Sequence, residues 1–314
     1  MSTIHFSRPP PTILVIGGVN YDIKAKLHAP VEHLDDSNTG LISQHDGGVA
    51  RNIAEVLGRL KLPTTLIAVF GDDNASQSMQ QNLEDQQVDL SHAIQMENMR
   101  SDTFLSFHDH TGELLMAANQ MTLIKAITPS FIHTKTDLIC EADIVVCDCN
   151  LSPDTLAEIA GLARKGMLVI DGVSTTKIRR IEGLYDKIDL LKLSHIEAVT
   201  LCDAPHETSL DGLITKAVNR GIKQVLISKG EEGFAINDGT NIHHFDAIKA
   251  TPQTVTGAGD CLLGGLIYGL ATGLPLAQAC EVGAKTAYLS TKSVASVNHH
   301  INLDNILTGH LDII

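Results

Sequence analysis

The chain has 314 residues, 43% apolar and only 4% aromatic, with no tryptophan and a formal net charge of −14 from 23 basic and 37 acidic side chains. That is enough apolar material for one large α/β domain. So acidic and ring-poor a surface disfavours nucleic acid and anionic lipid as partners, and no apolar run reaches the ~18 residues that a bilayer-spanning helix needs.

Residues 1–11 are polar and proline-rich, lack the apolar stretch of a secretion signal, and read as a flexible leader. Six cysteines, Cys140, Cys147, Cys149, Cys202, Cys261 and Cys280, include no C-x-x-C pair, and the histidine pairs lack ligand spacing. The expected setting is reducing and cytoplasmic. Thr12–Ile16 is a short continuous apolar run, the pattern of a strand buried on both faces. It ends in Gly17-Gly18-Val19-Asn20-Tyr21-Asp22. Open α/β sheets bind ligands at the carboxyl ends of their strands, so Asn20 and Asp22 are placed to meet a polar substrate or to shape the turn. The G-x-G-x-x-G signature of dinucleotide folds is absent here.

Residues 23–46 show no helical period and alternate like a half-exposed strand pair, a β insertion suited to a lid. Asp46-Gly47-Gly48-Val49-Ala50-Arg51-Asn52 then opens an amphipathic helix carried by Ile53, Val56, Leu57 and Leu60. Thr64–Phe70 reads as the next buried strand and 75–86 as a polar helix. Thr103–Phe107 and Leu114–Ala118 flank the turn His110-Thr111-Gly112 as a hairpin, the second half of the lid, ending at Asn119 and Gln120. From Ala142 strands and helices alternate, and each strand stops at a polar cluster: Asp148-Cys149-Asn150, Asp171-Gly172-Val173-Ser174, Ser194-His195-Ile196-Glu197 and Ser228-Lys229-Gly230. This recurrence puts one polar face at one end of the sheet. A hairpin over 233–245 precedes two closing helices, about 257–272 and 275–290.

Thr254-Val255-Thr256-Gly257-Ala258-Gly259-Asp260 leads into the first of these, with Leu262, Leu266 and Leu270 at helical spacing. The first N–H groups of a helix have no partner within it, and its dipole is positive there. Small residues let an anion approach, and Asp260 sets a base beside it, an arrangement suited to moving a phosphoryl group onto a hydroxyl. On its own the same turn fits equally well a capped helix with no ligand.

Taken together, Gly17 to Asp22, Gly47-Gly48 with Asn52, Lys192 to Glu197, Ser228 to Gly233, and Thr256 to Asp260 resemble the PfkB, or ribokinase-like, carbohydrate and nucleoside kinases. The resemblance implies a doubly wound α/β sheet with helices on both faces and a small β-sheet lid. The kinase domain would span 12–295, with lid segments at about 22–46 and 98–119 and a C-terminal segment at 296–314. It implies ATP as donor with Mg2+, Asp260 as general base, and Gly257, Ala258 and Gly259 with Asp260 as the anion hole. Asn20, Asp22, Gly47, Gly48 and Asn52 would hold the acceptor sugar, with Asn119, Asp148 and Asn150 nearby. Lys192, Ser194, Ser228, Gly230, Gly233 and Thr256 would flank the ATP phosphates, and Glu197 would meet Mg2+ through water. Ser194 stands where many members have Asn. Thr254-Val255 stands where many members have Asp-Thr, whose Asp helps bind a monovalent cation in ribokinases, which leaves K+ activation open. Within the family, Asp36 to Asn38, Thr111 to Asn119 and Asp148 to Asn150 are most similar to the pseudouridine kinase branch. That implies transfer to the 5′-hydroxyl of pseudouridine; another nucleoside or sugar (ribose, adenosine, fructose 6-phosphate), or a non-catalytic binding sensor, are the alternatives. A lid sheet with free edges also implies a homodimer.

Overall fold

The computed structural model describes residues 11–31, 35–249 and 251–308, so the leader expected over 1–11 lies, apart from Pro11, outside the described residues. A nine-stranded sheet runs through the molecule in the order 242–245, 234–237, 224–228, 190–194, 167–171, 144–148, 13–16, 64–67, 88–89. Seven strands, from Gln224–Ser228 to Val88–Asp89, are parallel; the hairpin Phe234–Asn237 and Ile242–Phe245 adds two antiparallel strands at one edge. Ile13–Ile16 pairs with Thr64–Ile67 on one side and Ile144–Asp148 on the other. The chain therefore winds outward in both directions from the first strand, and the crevice beside it is the switch point where such folds bind ligands.

Successive strand side chains face opposite ways, and two apolar layers follow from that alternation. Ile13, Val15, Leu66, Val146, Val169 and Leu190 face helices Val49–Arg59, Ala258–Ala271 and Leu276–Thr291. Leu14, Ile16, Ile67, Val145, Leu168 and Leu191 face helices Pro153–Leu162, His195–Cys202 and Leu210–Asn219. Val297, Ile301 and Ile306 join the first layer, so the expected C-terminal segment packs onto the body through these three side chains.

The lid is a separate four-stranded sheet in the order 40–47, 20–27, 103–108, 114–120. Its segments start and stop slightly differently from expectation: the first strand begins at Asn20, inside what reads as a turn in sequence, and the last runs to Gln120. Asp109 Oδ1 accepts from the backbone N–H groups of Thr111, Gly112 and Glu113 and so closes the hairpin. The single strand expected over Thr64–Phe70 is two. Thr64–Ile67 stays in the main sheet, while Val69–Phe70 leaves it to pair with Ile94–Gln95.

Candidate active site

Two glycine turns face each other across the switch point. The first strand ends at Gly17-Gly18, packed beneath the N-terminus of helix Val49–Arg59. Gly18 O accepts from Arg51 N at 3.3 Å, and Gly48, the residue before the helix, has φ +101° with its α-carbon against Gly18 O and Val19. A side chain at Gly48 would be strained in conformation and would strike backbone. Asp148 locks this corner. Its Oδ2 accepts from Gly18 N (2.8 Å) and Ala50 N (3.0 Å), its Oδ1 accepts from Asn150 N (2.8 Å), and it is fully buried. Asp148, which the resemblance sets near the acceptor, binds three backbone N–H groups with its carboxylate and so staples three segments together.

At the lid root the structure brings together Asn20, Asp22, Gly47, Gly48 and Asn52. Asn20 is paired in register with Gly47, and its amide donates to Asp22 Oδ1. A β-carbon on Gly47 would lie 2.5 Å from Asp22 Oδ2, so only a bare backbone lets that carboxylate sit there. Burial pushes Asp22 up to about 6, against the opposing hydrogen bond from Asn20 and the positive charge of Arg51.

The opposite turn is formed as the sequence suggests. Gly257, at φ +80°, precedes helix Ala258–Ala271 and lies tight against the Ser296 carbonyl. Asp260, in the first helical turn and 9% exposed, accepts from Asn52 Nδ2 at 2.7 Å through Oδ2. That bond joins the two turns. Burial raises Asp260 to about 7; Asp171 and Asp148 push the same way, and Lys192 and the Asn52 hydrogen bond pull it down. Lys192 reaches Asp171 Oδ2 at 2.9 Å, and its ammonium would lie 2.6 Å from a β-carbon on Gly259. Burial alone would discharge Lys192, but the carboxylates of Asp171, Glu197 and Asp260 outweigh it and hold the ammonium charged. A buried cation thus sits directly under the small-residue turn.

Beyond this turn opens a cavity of about 890 Å³. Its lining combines polar and small residues, among them Lys192, Ser194, Ser228, Gly230 and Gly233, with apolar ones such as Ile248, Leu262 and Tyr288. A lining that mixes polar groups with apolar surface suits a nucleoside triphosphate. Ser194 caps helix His195–Cys202 in a capping box, its side chain meeting the Glu197 backbone N–H while the Glu197 carboxylate reaches back to Ser194 N. Glu197 Oε2 accepts from Ser194 N at 2.9 Å, and burial pushes its carboxyl up against the pull of Lys192. Among the described residues no three His, Cys, Asp or Glu side chains form a metal cage. Thr256 donates its N–H to Thr254 Oγ1 at 3.2 Å, within the turn itself.

A smaller cavity, about 340 Å³, lies where the end of the last lid strand at Asn119 meets residues 121–129 and the strand end at Asn150. Asn119, Asn150, Lys177 and Arg180 are among its polar groups, with Lys125, Thr128, Ser152 and Thr155. Lys177 Nζ donates to Asn150 Oδ1 at 2.6 Å, and Arg180 Nη1 bonds the carbonyls of Cys149, Asn150 and Leu151. Asp171, whose strand-end position fits either a contact to base or ribose or a salt bridge, is the partner of Lys192. One buried group, Arg51 beside Asn52, has no site role legible in the sequence. Its only signal is charged residues at 51, 55 and 59 along the one helix whose Ile53, Val56 and Leu57 mark it as core.

The family model for pfkB family carbohydrate kinases matches residues 11–300. The chain belongs to this family. It is 28% identical over 299 residues to the pseudouridine kinase of Escherichia coli (strain K12), covering 94% of this chain and 95% of that one. It is 25% identical to the guanosine-inosine kinase of Exiguobacterium acetylicum, covering 88% and 92%. The fold matches that of Arabidopsis thaliana ribokinase, solved with ribose and ATP, at a TM-score of 0.82 with 20% identity, covering 97% of this chain and 99% of that one. As a pfkB kinase the protein is a phosphotransferase that acts on a hydroxyl group, with ATP as the family's donor.

Proposed function

We propose that this kinase transfers the γ-phosphoryl group of ATP to the 5′-hydroxyl of pseudouridine, giving pseudouridine 5′-phosphate and ADP. One observation carries the chemistry: Asp260 is buried beside the Gly257 turn and held by Asn52 from the acceptor side. The acceptor hydroxyl gives its proton to Asp260 as its oxygen bonds the γ-phosphorus, and the bond from that phosphorus to the β,γ-bridging oxygen breaks. The N–H groups from Gly257 to Asp260 and the Lys192 ammonium meet the charge on the moving phosphoryl group. Asn20, Asp22 and Asn52 hold the ribose hydroxyls, with Gly47 and Gly48 letting the sugar lie against backbone. Ser194, Ser228, Gly230, Gly233 and Thr256 flank the ATP phosphates. Mg2+, met by Glu197 through water, would neutralise charge between the β- and γ-phosphates.

The acceptor rests on likeness to the Escherichia coli pseudouridine kinase, spread over nearly the whole of both chains. The cavity holding Asn119, Asn150 and Lys177 offers a nucleobase both donors and an acceptor. Apolar side chains exposed on both edges of the lid, Leu41, Ile42, Leu114 and Met116, support a homodimer that joins two lids. Six free cysteines, five of them buried, fit a reducing cytoplasmic setting.

The test is ATP turnover with pseudouridine, uridine, cytidine, adenosine, guanosine, ribose and fructose 6-phosphate, with Asp260→Ala as control. Strong preference for pseudouridine is expected. Turnover of another compound alone would keep the kinase and reject the acceptor; tight binding without turnover of any would mark a sensor. Because Asp260 must be unprotonated to accept the proton and is raised to about 7, kcat should climb with pH through about 7 and then level.

A further inference from the structure

Helix Val49–Arg59 holds a chain of buried ionic groups that the reaction described above does not use. Arg51 and Glu55 are each 3% exposed, among Ile53, Val56 and Leu57. Arg51 Nη2 meets Glu55 Oε2 at 2.5 Å and Asp46 Oδ2 at 3.3 Å. Arg59 holds the other oxygen of Glu55 at 2.7 Å. The second arm of Arg51 does something different: Nη1 donates to Asn52 Oδ1 at 3.0 Å. Burying a guanidinium is costly even when it is paired, and an apolar side chain could fill the same space.

What the second arm fixes is an orientation. A side-chain amide has two nearly isosteric settings, one end donating and the other accepting. With Asn52 Oδ1 held by Arg51, Nδ2 is aimed at Asp260, 2.7 Å away. Turned over, the amide would set its oxygen against the carboxylate, acceptor against acceptor. The amide would then also have nothing with which to stabilise the ionised base.

We propose that Arg51 is a positioning residue for phosphoryl transfer, locking the Asn52 amide in the setting that donates to Asp260. This rests on the reading of Asp260 as general base. Asp260 is faced by Asn52 from this helix and by Lys192, Asp171 and Asp148 from the strand ends, with Glu197 acting on Lys192. Arg51 itself is faced by Glu55 on its own helix, Asp46 on the lid strand and Asp22 at the lid root.

The decisive variant is Arg51→Lys. It keeps a positive charge beside Glu55 and Asp46, but a single nitrogen cannot also hold the Asn52 oxygen. In ATP turnover with the preferred acceptor of the panel, kcat should fall about tenfold, with KM for ATP within about twofold. The acid limb of the kcat profile should move to higher pH, since an Asp260 that loses its donor ionises less readily. Asn52→Ala should move the limb the same way, and the double variant no further than Asn52→Ala. A limb that stays in place in Arg51→Lys, or a double variant whose shifts simply add, overturns the proposal. Should Arg51→Lys fail to fold, the wild-type protein still decides. The Asn52 side-chain 15N signal, assigned with Asn52→Asp, should be one set that titrates with Asp260. Two sets, from both amide settings, would overturn the lock. Asp260→Asn separates the two readings. Turnover surviving in it removes the base, whereas a dead Asp260→Asn beside an unchanged Arg51→Lys profile removes only Arg51.

Discussion

The nine-stranded sheet and the lid are both β-structure, yet they meet water in opposite ways. Every residue of Ile13–Ile16 and Ile144–Asp148 is buried, while every residue of Leu114–Gln120 is exposed. Parallel strands linked through helices are covered on both faces; the lid has no helix of its own and keeps two free edges. The groups proposed to handle the phosphoryl group, Asp260, Lys192 and the Gly257 turn, belong to the packed body. Those proposed to hold the acceptor, Asn20, Asp22 and Gly47, stand on strands of the lid. A covered half and a solvent-exposed half thus meet at the lid root, where Asn20 pairs with Gly47.

The sharpest way to break this division is at the body's base. Asp260→Asn preserves shape and the bond position of Asn52, but it cannot take a proton. We expect kcat to fall about 10²–10⁴-fold, with ATP binding by calorimetry unchanged. Near-normal turnover would place the base elsewhere. The joint between the two halves should be almost as sensitive. Gly48→Ala forces a β-carbon into the left-handed region against Gly18 O, and a loss of about 2–4 kcal/mol in urea unfolding is expected. A neutral result would mean that the corner can open without cost.

The same carboxylate gives a prediction of opposite sign for stability. Asp260 is raised from 3.8 to about 7, so above its unfolded value the unfolded chain releases a proton that the folded chain keeps. Its contribution therefore turns unfavourable as pH rises from about 4 and stays at full cost above about 7. Asp260→Asn carries no such charge. At pH 8 it should unfold at higher urea than the parent, and the gain should vanish near pH 4. Equal stability at both values would show that Lys192 fully compensates the buried charge.

How much of this division is legible in the sequence depends on the range of the interactions. The donor turn is local: Gly257, Gly259 and Asp260 sit within four residues, and the leucines after them announce the helix. The strand ends of the body are legible too, because continuous apolar runs stop abruptly at polar clusters. The role of Asp148 is not, since the three N–H groups that occupy it come from residues 18, 50 and 150. Nothing in Asp148-Cys149-Asn150 distinguishes a staple from a ligand. Arg51 is hidden for a related reason: its purpose depends on an Asp at 260, 209 positions away in the chain. The break between Ile67 and Val69 is a tertiary choice, made because Phe70 finds a different partner strand, and the run Thr64–Phe70 carries no residue that would signal it.

The smallest effect is expected at the free edges of the lid. Leu114 and Met116 are 58% and 62% exposed on one edge strand, and Leu41 and Ile42 are 63% and 68% exposed on the other. Surface this apolar, set at unpaired strand edges, is costly to leave in water and favours pairing with a second copy. Leu114→Ser with Met116→Ser should leave the unfolding midpoint within about 0.5 kcal/mol of the parent, because neither side chain belongs to the core. Light scattering should nevertheless report a shift from dimer toward monomer, and KM for the acceptor should rise a few-fold, with KM for ATP unmoved. If the mass and both KM values stay as they were, the edges serve neither assembly nor the acceptor. A rise in KM for ATP would mean that lid and body are coupled far more tightly than their burial suggests.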